Sequence, residues 1–174
     1  MREQSHAMAK DPSGNLAPHL SAPAEQEIET RFGKITIRQA NPITFDKGML
    51  GFPDRHRFCL LEFPVKKFPY FKLLQCLDDH SLSFITLPVD IDNQIIERKD
   101  IEEGCKDLNI PLEHLALFLI VTVHRDVNVV KLSANARAPL FMHADTREAE
   151  QYVLRNSKYE VRHMLGDNFL PKKN

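Results

Sequence analysis

Between Ile43 and Phe52 the chain reads Ile-Thr-Phe-Asp-Lys-Gly-Met-Leu-Gly-Phe, a pattern that an isolated loop could not hold. A short alternating apolar strand runs into Asp46 and then into Gly48 and Gly51, each followed by apolar residues. The backbone must bend sharply while Met49, Leu50 and Phe52 stay out of water, and only a surrounding core allows that. Glycine tolerates positive φ without a Cβ clash, so Gly48 and Gly51 are expected where other residues would be strained.

The core that this loop requires is within reach of the chain. Its 174 residues, 43% of them hydrophobic, suit one globular domain burying about 68–70% of its unfolded surface. With 23 basic against 24 acidic residues, the formal charge is -1. No global field therefore draws the chain onto nucleic acid or an anionic membrane, and such a partner would need a local patch. Cys59, Cys76 and Cys105 are odd in number and lack C-x-x-C spacing, which predicts reduced thiols in the core of a cytoplasmic protein. No apolar run approaches the ~20 residues of a membrane span, and no signal-peptide core opens the chain.

Read in order, residues 1–26 form a disordered arm. Pro12, Pro18 and Pro23 interrupt it, and Met8, Leu16 and Leu20 follow no period. A single domain is expected over 27–168, with a flexible tail at 169–174. Period-two alternation places Ile28, Thr30 and Phe32 on one parity and Ile35 and Ile37 on the other, so a tight turn or bulge is expected at Gly33-Lys34. Strands follow at Ile43–Phe45, Arg57–Phe63, Phe71–Leu77 and Leu82–Leu87, the last stopped by Pro88. Asp100, with Glu103 in the capping-box position, predicts a helix over 100–108 that Asn109 and Pro111 end, and Gly104 makes it depend on the core. Ala116–Val123 is the most apolar run and reads as a central strand covered on both faces. Val127–Leu132 completes a hairpin with it, Leu140–His143 is a further strand, and Tyr159–Leu165 is a weaker strand or helix. The fold class is all-β, mainly antiparallel, with one short helix.

No catalytic residue emerges. His124-Arg125-Asp126 mimics a kinase tripeptide, but Lys131 stands where the required asparagine should be. No phosphate-binding loop, nucleophile elbow or H-x-x-x-H pair is present. His80, His124, His143 and His163 fall at strand ends or turns, where a surface role outweighs metal ligation, so no metal or cofactor is assigned. Asp78 and Asp79 could act as paired carboxylates, yet adjacent strand residues face opposite ways and a turn pair is the plainer reading. Lys66 and Lys67 lie among Phe63, Phe68, Tyr70 and Phe71, which an RNA-binding β-barrel could use. The alternative is a cationic turn whose phenylalanines point inward, and the neutral net charge favours it. A β-barrel enzyme is the weaker alternative. A protein-binding module fits best.

The run Phe45-Asp46-Lys47-Gly48-Met49-Leu50-Gly51-Phe52, preceded by Arg31-Phe32-Gly33-Lys34-Ile35, resembles the signature of the FliW flagellar assembly factor family. Further matches follow in order: Phe71 to Gln75 before an acidic pair, Leu82 to Ile85 ending at Pro88, Asn135-Ala136-Arg137-Ala138-Pro139, and Gln151 followed by Tyr159 and His163. The resemblance spans about residues 28–165. It implies a pseudobarrel of short antiparallel strands with no enzymatic activity, metal or nucleotide. It also implies two protein partners, flagellin and the carbon storage regulator, an RNA-binding translational repressor, with export of flagellin freeing the factor to capture the repressor. The resemblance implies no direct binding to nucleic acid or membrane, and a monomer is expected when no partner is bound. Ala136 departs from the leucine common in the family, and the arm before Glu27 is longer than the family suggests.

A basic repressor would be attracted to acidic surface, and Asp78, Asp79, Asp90, Asp92 and Glu97 cluster in sequence around the Leu82–Leu87 strand. An amphipathic helix of flagellin would need exposed apolar surface, and Met49, Leu50 and Phe52 are candidates, although a core role is the plainer reading. Gly48, Gly51, Asn135, Ala138 and Pro139 are assigned to the structural motif.

Overall fold

The computed structural model describes residues 25–38, 42–125 and 129–169. Residues 1–24 of the expected arm, 170–174 of the expected tail and residues 126–128 lie outside the described residues; Glu25 and Gln26, expected in the arm, belong to the first strand. Two strands open the structure, β1 (Glu25–Thr30) and β2 (Gly33–Arg38), paired only with each other. Their two-residue turn is Arg31-Phe32, just before the Gly33-Lys34 pair where it was expected, and those two residues open β2. Thr30 pairs with Gly33, whose φ is 95°, and the Thr30 hydroxyl accepts from the Phe32 N–H at 3.1 Å while donating to the Gly33 carbonyl at 2.9 Å. Phe32, expected in the strand, therefore sits at the turn.

The main sheet begins with β3 (Ile43–Thr44), β4 (Arg57–Glu62), β5 (Lys72–Cys76), β6 (Ser83–Val89) and β7 (Leu115–Arg125), each antiparallel to the one before it. Strand β6 runs through Pro88, which was expected to stop it. Its ladder with β5 ends at Thr86, so one edge of β6 has no neighbour at Pro88, and a residue without N–H is tolerated there. Beyond β7 come β8 (Val130–Ala134), β9 (Leu140–His143), β10 (Ala149–Gln151) and β11 (His163–Met164). Strands β8 and β9 pair with different halves of the same edge of β7, β10 adds to β9, and β11 adds to β8. The Thr44 N–H donates to the Arg147 carbonyl at 2.9 Å, and Thr44 bridges to Glu148. That contact joins the first strand of the sheet to the segment entering its last, and closes a pseudobarrel.

Strand β7 is covered on both faces up to Val121, as its apolar run predicts, and the expectation fails at Thr122 and Val123, which are exposed. Leu117, Leu119 and Val121 belong to one core cluster and Phe118 to a second, on the opposite face. Cys59, Cys76 and Cys105 are buried and free, and burial pushes the Cys59 and Cys105 thiols up to about 11. Among the described residues no helix is long and apolar enough to cross a membrane.

The single α-helix among the described residues, α1, spans Arg98–Asp107 with Glu97 at its N-cap, three residues before the Asp100 expected there. Asp100 is not the cap. It lies in the first turn, 7% exposed, and accepts hydrogen bonds from Tyr159 and Asn156. The helix entrance is held instead by Asn93, whose side-chain oxygen accepts the Ile95 and Ile96 N–H groups at 2.8 Å, and by Tyr159 Oη, which accepts the Glu97 N–H. The exit matches expectation. Asn109 takes a φ of 54° and the Ile110 N–H returns to the Cys105 carbonyl at 2.9 Å, a Schellman-type close.

Gly104 has a packing reason beyond helix propensity. A Cβ there would lie 2.6 Å from Cζ of Phe141, a ring with no exposure. Overpacking of this kind costs about 1–3 kcal/mol, against about 1 kcal/mol gained from alanine's helix propensity. Urea unfolding of Gly104→Ala is therefore expected to show a net loss of up to about 2 kcal/mol; an unchanged or raised midpoint would mean that α1 does not press on Phe141.

Candidate functional site

The signature loop is built on hydrogen bonds and two left-handed glycines. The Phe45 N–H donates to His56 O at 2.8 Å and the Gly48 N–H to Phe45 O at 2.9 Å. Gly48 has φ 68°, and a Cβ on it would lie 2.4 Å from the Pro53 carbonyl oxygen, so no other residue fits without moving backbone. Met49 and Phe52 exchange backbone hydrogen bonds of 3.2 and 2.7 Å across a Leu50-Gly51 tip, with Gly51 at φ 85°. The expectation of burial holds for Met49, at 2% exposure, and fails for Leu50 at 55% and Phe52 at 40%. A two-residue tip cannot turn every side chain inward. Phe52 leaves the core edge-on to Phe84, their centroids 5.8 Å apart, and Phe84 continues through Phe58 to Phe45.

Gln151 ties this loop to the Asn135–Pro139 segment. Its side-chain oxygen accepts the Leu50 N–H and its nitrogen donates to the Ala138 carbonyl, both at 3.2 Å, with Gln151 itself 9% exposed. Five residues separate β8 from β9 where β7 has only Leu119 and Ile120 opposite, so the segment is a bulge between two strands sharing one edge. Asn135 caps it by accepting the Ala138 N–H at 2.9 Å, and the Ala136 and Arg137 N–H groups donate to the Glu160 carbonyl. Ala136 is fully buried in the main core cluster.

The acidic residues that neighbour one another in sequence divide between the two ends of β6. At about 3.3 Å per residue, its seven residues separate Asp78 and Asp79 from Asp90 and Asp92 by roughly 20 Å. Asp78 accepts the His56 and Arg57 N–H groups and the Arg57 Nε at 2.8–2.9 Å. Burial pushes its carboxyl up, but these bonds outweigh that and hold it below the usual carboxylate range. Asp79 is held low by the Ser81 hydroxyl and N–H and by Arg55. At the other end, Asp92 pairs with Arg98 at 3.0 Å and remains 70% exposed. Glu97 is held by Lys158 and by Lys99, which lower its carboxyl to about 2. Asp90 is exposed and has no ion-pair partner among the described residues.

Of the four aromatics beside Lys66 and Lys67, only Tyr70 is exposed, and it packs edge-on to Phe169. Phe63, Phe68 and Phe71 pack on one another at 5.8–6.3 Å and turn inward, as the plainer sequence reading has it. Together with Phe32 they line an apolar groove of about 450 Å³, floored by Val123, Arg125, Val130 and Leu132. The sequence signal was the shared parity of these residues at the far end of the β7–β8 hairpin, where an exposed strand end still alternates apolar residues. Of the histidines, His124 bonds Ser133 Oγ at 2.7 Å, and His143 stacks on His114 with centroids 5.2 Å apart.

The comparisons with known proteins fall on the same span. The family model described as FliW protein matches residues 26–165. The chain belongs to the FliW family. Relatives named flagellar assembly factor FliW include one from Clostridium beijerinckii, 32% identical over 136 residues and covering 76% of this chain and 92% of the relative. Another, from Ruminiclostridium cellulolyticum, is 31% identical over 145 residues, covering 79% and 92%. A crystal structure of the flagellar assembly factor FliW superposes with a TM-score of 0.59 over 80% of this chain and 96% of that one, at 24% identity, and agrees in fold. The FliW loop, the bulge and Gln151, separate in the sequence, are thus one connected piece of the fold.

Glu97 gives this region a pH signature. Its folded pKa of about 2 lies below its ordinary value of 4.5, so its ion pairs stabilise fully above pH 4.5 and lose that contribution as the pH falls towards 2. Unfolding midpoints measured across that window are expected to fall less steeply for Glu97→Gln than for the unaltered chain; identical slopes would show that Glu97 does not keep its lysine partners.

Proposed function

We propose that this chain is a non-enzymatic flagellar assembly factor that binds flagellin and the carbon storage regulator, sequestering the repressor when flagellin is scarce. The observation that carries this reading is the family match over residues 26–165, together with relatives that bear the assembly-factor name. The geometry supports a binding module. The acidic groups with lowered titration, Asp78, Asp79, Glu97 and Asp107, are each held by partners within the chain, and the three thiols are pushed up by burial.

A basic repressor is drawn to carboxylates that remain free to meet it. Asp78 and Asp79 are committed to their own loops; at the other end of β6 Glu97 is likewise held by two lysines, but Asp90 has no ion-pair partner among the described residues and Asp92, paired with Arg98, stays 70% exposed, so Asp90 and Asp92 form the better docking face. Leu50 and Phe52 offer apolar contact to flagellin from a loop fixed by Gly48 and Gln151, while Met49 serves the core beneath. Charge reversal at Asp90 and Asp92 is expected to weaken repressor binding several-fold, measured calorimetrically, and to flatten its dependence on salt. Unchanged affinity and salt slope would remove that face.

A further inference from the structure

The groove beneath the β1–β2 hairpin combines apolar walls with one lining cation, Arg125, and the exposed turn between two of its wall residues carries Lys66 and Lys67. Its floor is the open end of the β7–β8 ladder, where Val123 pairs with Leu132 and Arg125 with Val130. Residues two apart on a strand share a face, so all four side chains belong to one side of the sheet, and His124 faces the other with Ser133. One wall carries Phe63, Val65, Phe68 and Phe71, and the hairpin tip supplies Phe32, edge-on to Phe63 at 5.6 Å. At the mouth Val65, Val123 and Val130 are 39%, 36% and 41% exposed. A run of apolar side chains left open beside a concave aromatic wall is the mark of a surface that another molecule covers.

Charge narrows the occupant. Lys66 and Lys67 stand between two wall residues, Val65 and Phe68, and Arg125 rises from the floor; none has a carboxylate partner among the described residues. Glu62, nearby in sequence, is already paired with Lys72 at 2.5 Å. The floor is a sheet face and offers side chains; β11 covers the outer edge of β8 only at Ser133 and Ala134, so the open backbone groups at Val130 and Lys131 point along the sheet plane and not into the groove. Apolar anchors at i, i+3 or i+4, and i+7 from one helix face suit such a trough, with acidic residues flanking them to meet these cations.

We infer that this groove seats an acidic amphipathic α-helix, and that the helix is the flagellin segment invoked in the functional reading above. The inference rests on that reading and moves the main flagellin contact from the Leu50–Phe52 tip to the groove. The tip offers two side chains on a turn, which can add contact but has no trough to hold a helix.

The test is calorimetric titration of monomeric flagellin into the full chain and three variants. Val123→Glu places a carboxylate at an exposed floor position; Lys66→Glu/Lys67→Glu reverses the charge of the exposed turn, away from the core; Leu50→Ser probes the tip. Thermal melts of each variant check that the fold is kept. The inference expects Val123→Glu to lose roughly tenfold or more in affinity, the lysine pair to weaken binding most at low salt, and Leu50→Ser to stay within about twofold. If the lysine reversal and Val123→Glu bind as the unaltered chain does while Leu50→Ser fails, the groove is wrong and the flagellin reading stands. If the unaltered chain itself fails to bind at tens of micromolar, a free energy weaker than about 6 kcal/mol, both fall.

Discussion

One edge of β7 is shared by two strands, and most of the molecule follows from that. The eleven-residue strand pairs with β6 along one side, while on the other its first four residues pair with β9 and its last five with β8. A continuous partner would have given an open sheet. The break between β8 and β9 sends them in different directions, and each then takes its own neighbour, β11 or β10. The β9–β10 branch curls round until Glu148 meets Thr44 and the sheet closes. The bulge that makes the break must keep its backbone polar groups satisfied, because Ala136 and Ala138 are buried. Asn135, the Glu160 carbonyl and Gln151 do this, and Gln151 extends the tie to the signature loop.

The candidate surfaces are consequences of the same arrangement. Where β8 is freed from β9, its outer end forms a ladder with β7 that nothing in the main sheet covers, and the β4–β5 aromatic turn and the β1–β2 hairpin stand over it as walls. The loop leaving β6 carries Asp90 and Asp92 out into solvent before Asn93 turns the chain into α1. The apolar and acidic surfaces are therefore built from different elements. That suits a module with the two chemically unlike partners proposed above, which can be disturbed separately.

Much of the fold was legible in the sequence, because its signals were local. Alternation located the strands, the long apolar run located β7, and Asn109 located the end of α1. Gly48 and Gly51 did take positive φ. The start of α1 was misread because Asp100 satisfies a capping pattern but is drawn into the core by Tyr159, fifty-nine residues away; no local rule contains that contact. Pro88 was misread because whether a proline stops a strand depends on the neighbour it would bond, which pairing alone decides. Leu50 and Phe52 were expected inside because their neighbours are apolar, yet the tip had to point somewhere. The acidic cluster looked continuous in sequence, but an intervening strand carries its members to opposite ends. The groove is assembled from the hairpin, the aromatic turn and the β7–β8 end, and only topology brings those together.

Coupling between the two partners is what separates a switch from a protein that merely binds both. The measurement that tests it most directly is the affinity for the carbon storage regulator, titrated into the full chain with and without saturating flagellin. The account predicts a marked loss of repressor affinity when flagellin is present, recovered when flagellin is diluted out, and by linkage an equal loss of flagellin affinity when the repressor is saturating. Repressor affinity that does not change with flagellin present would contradict it.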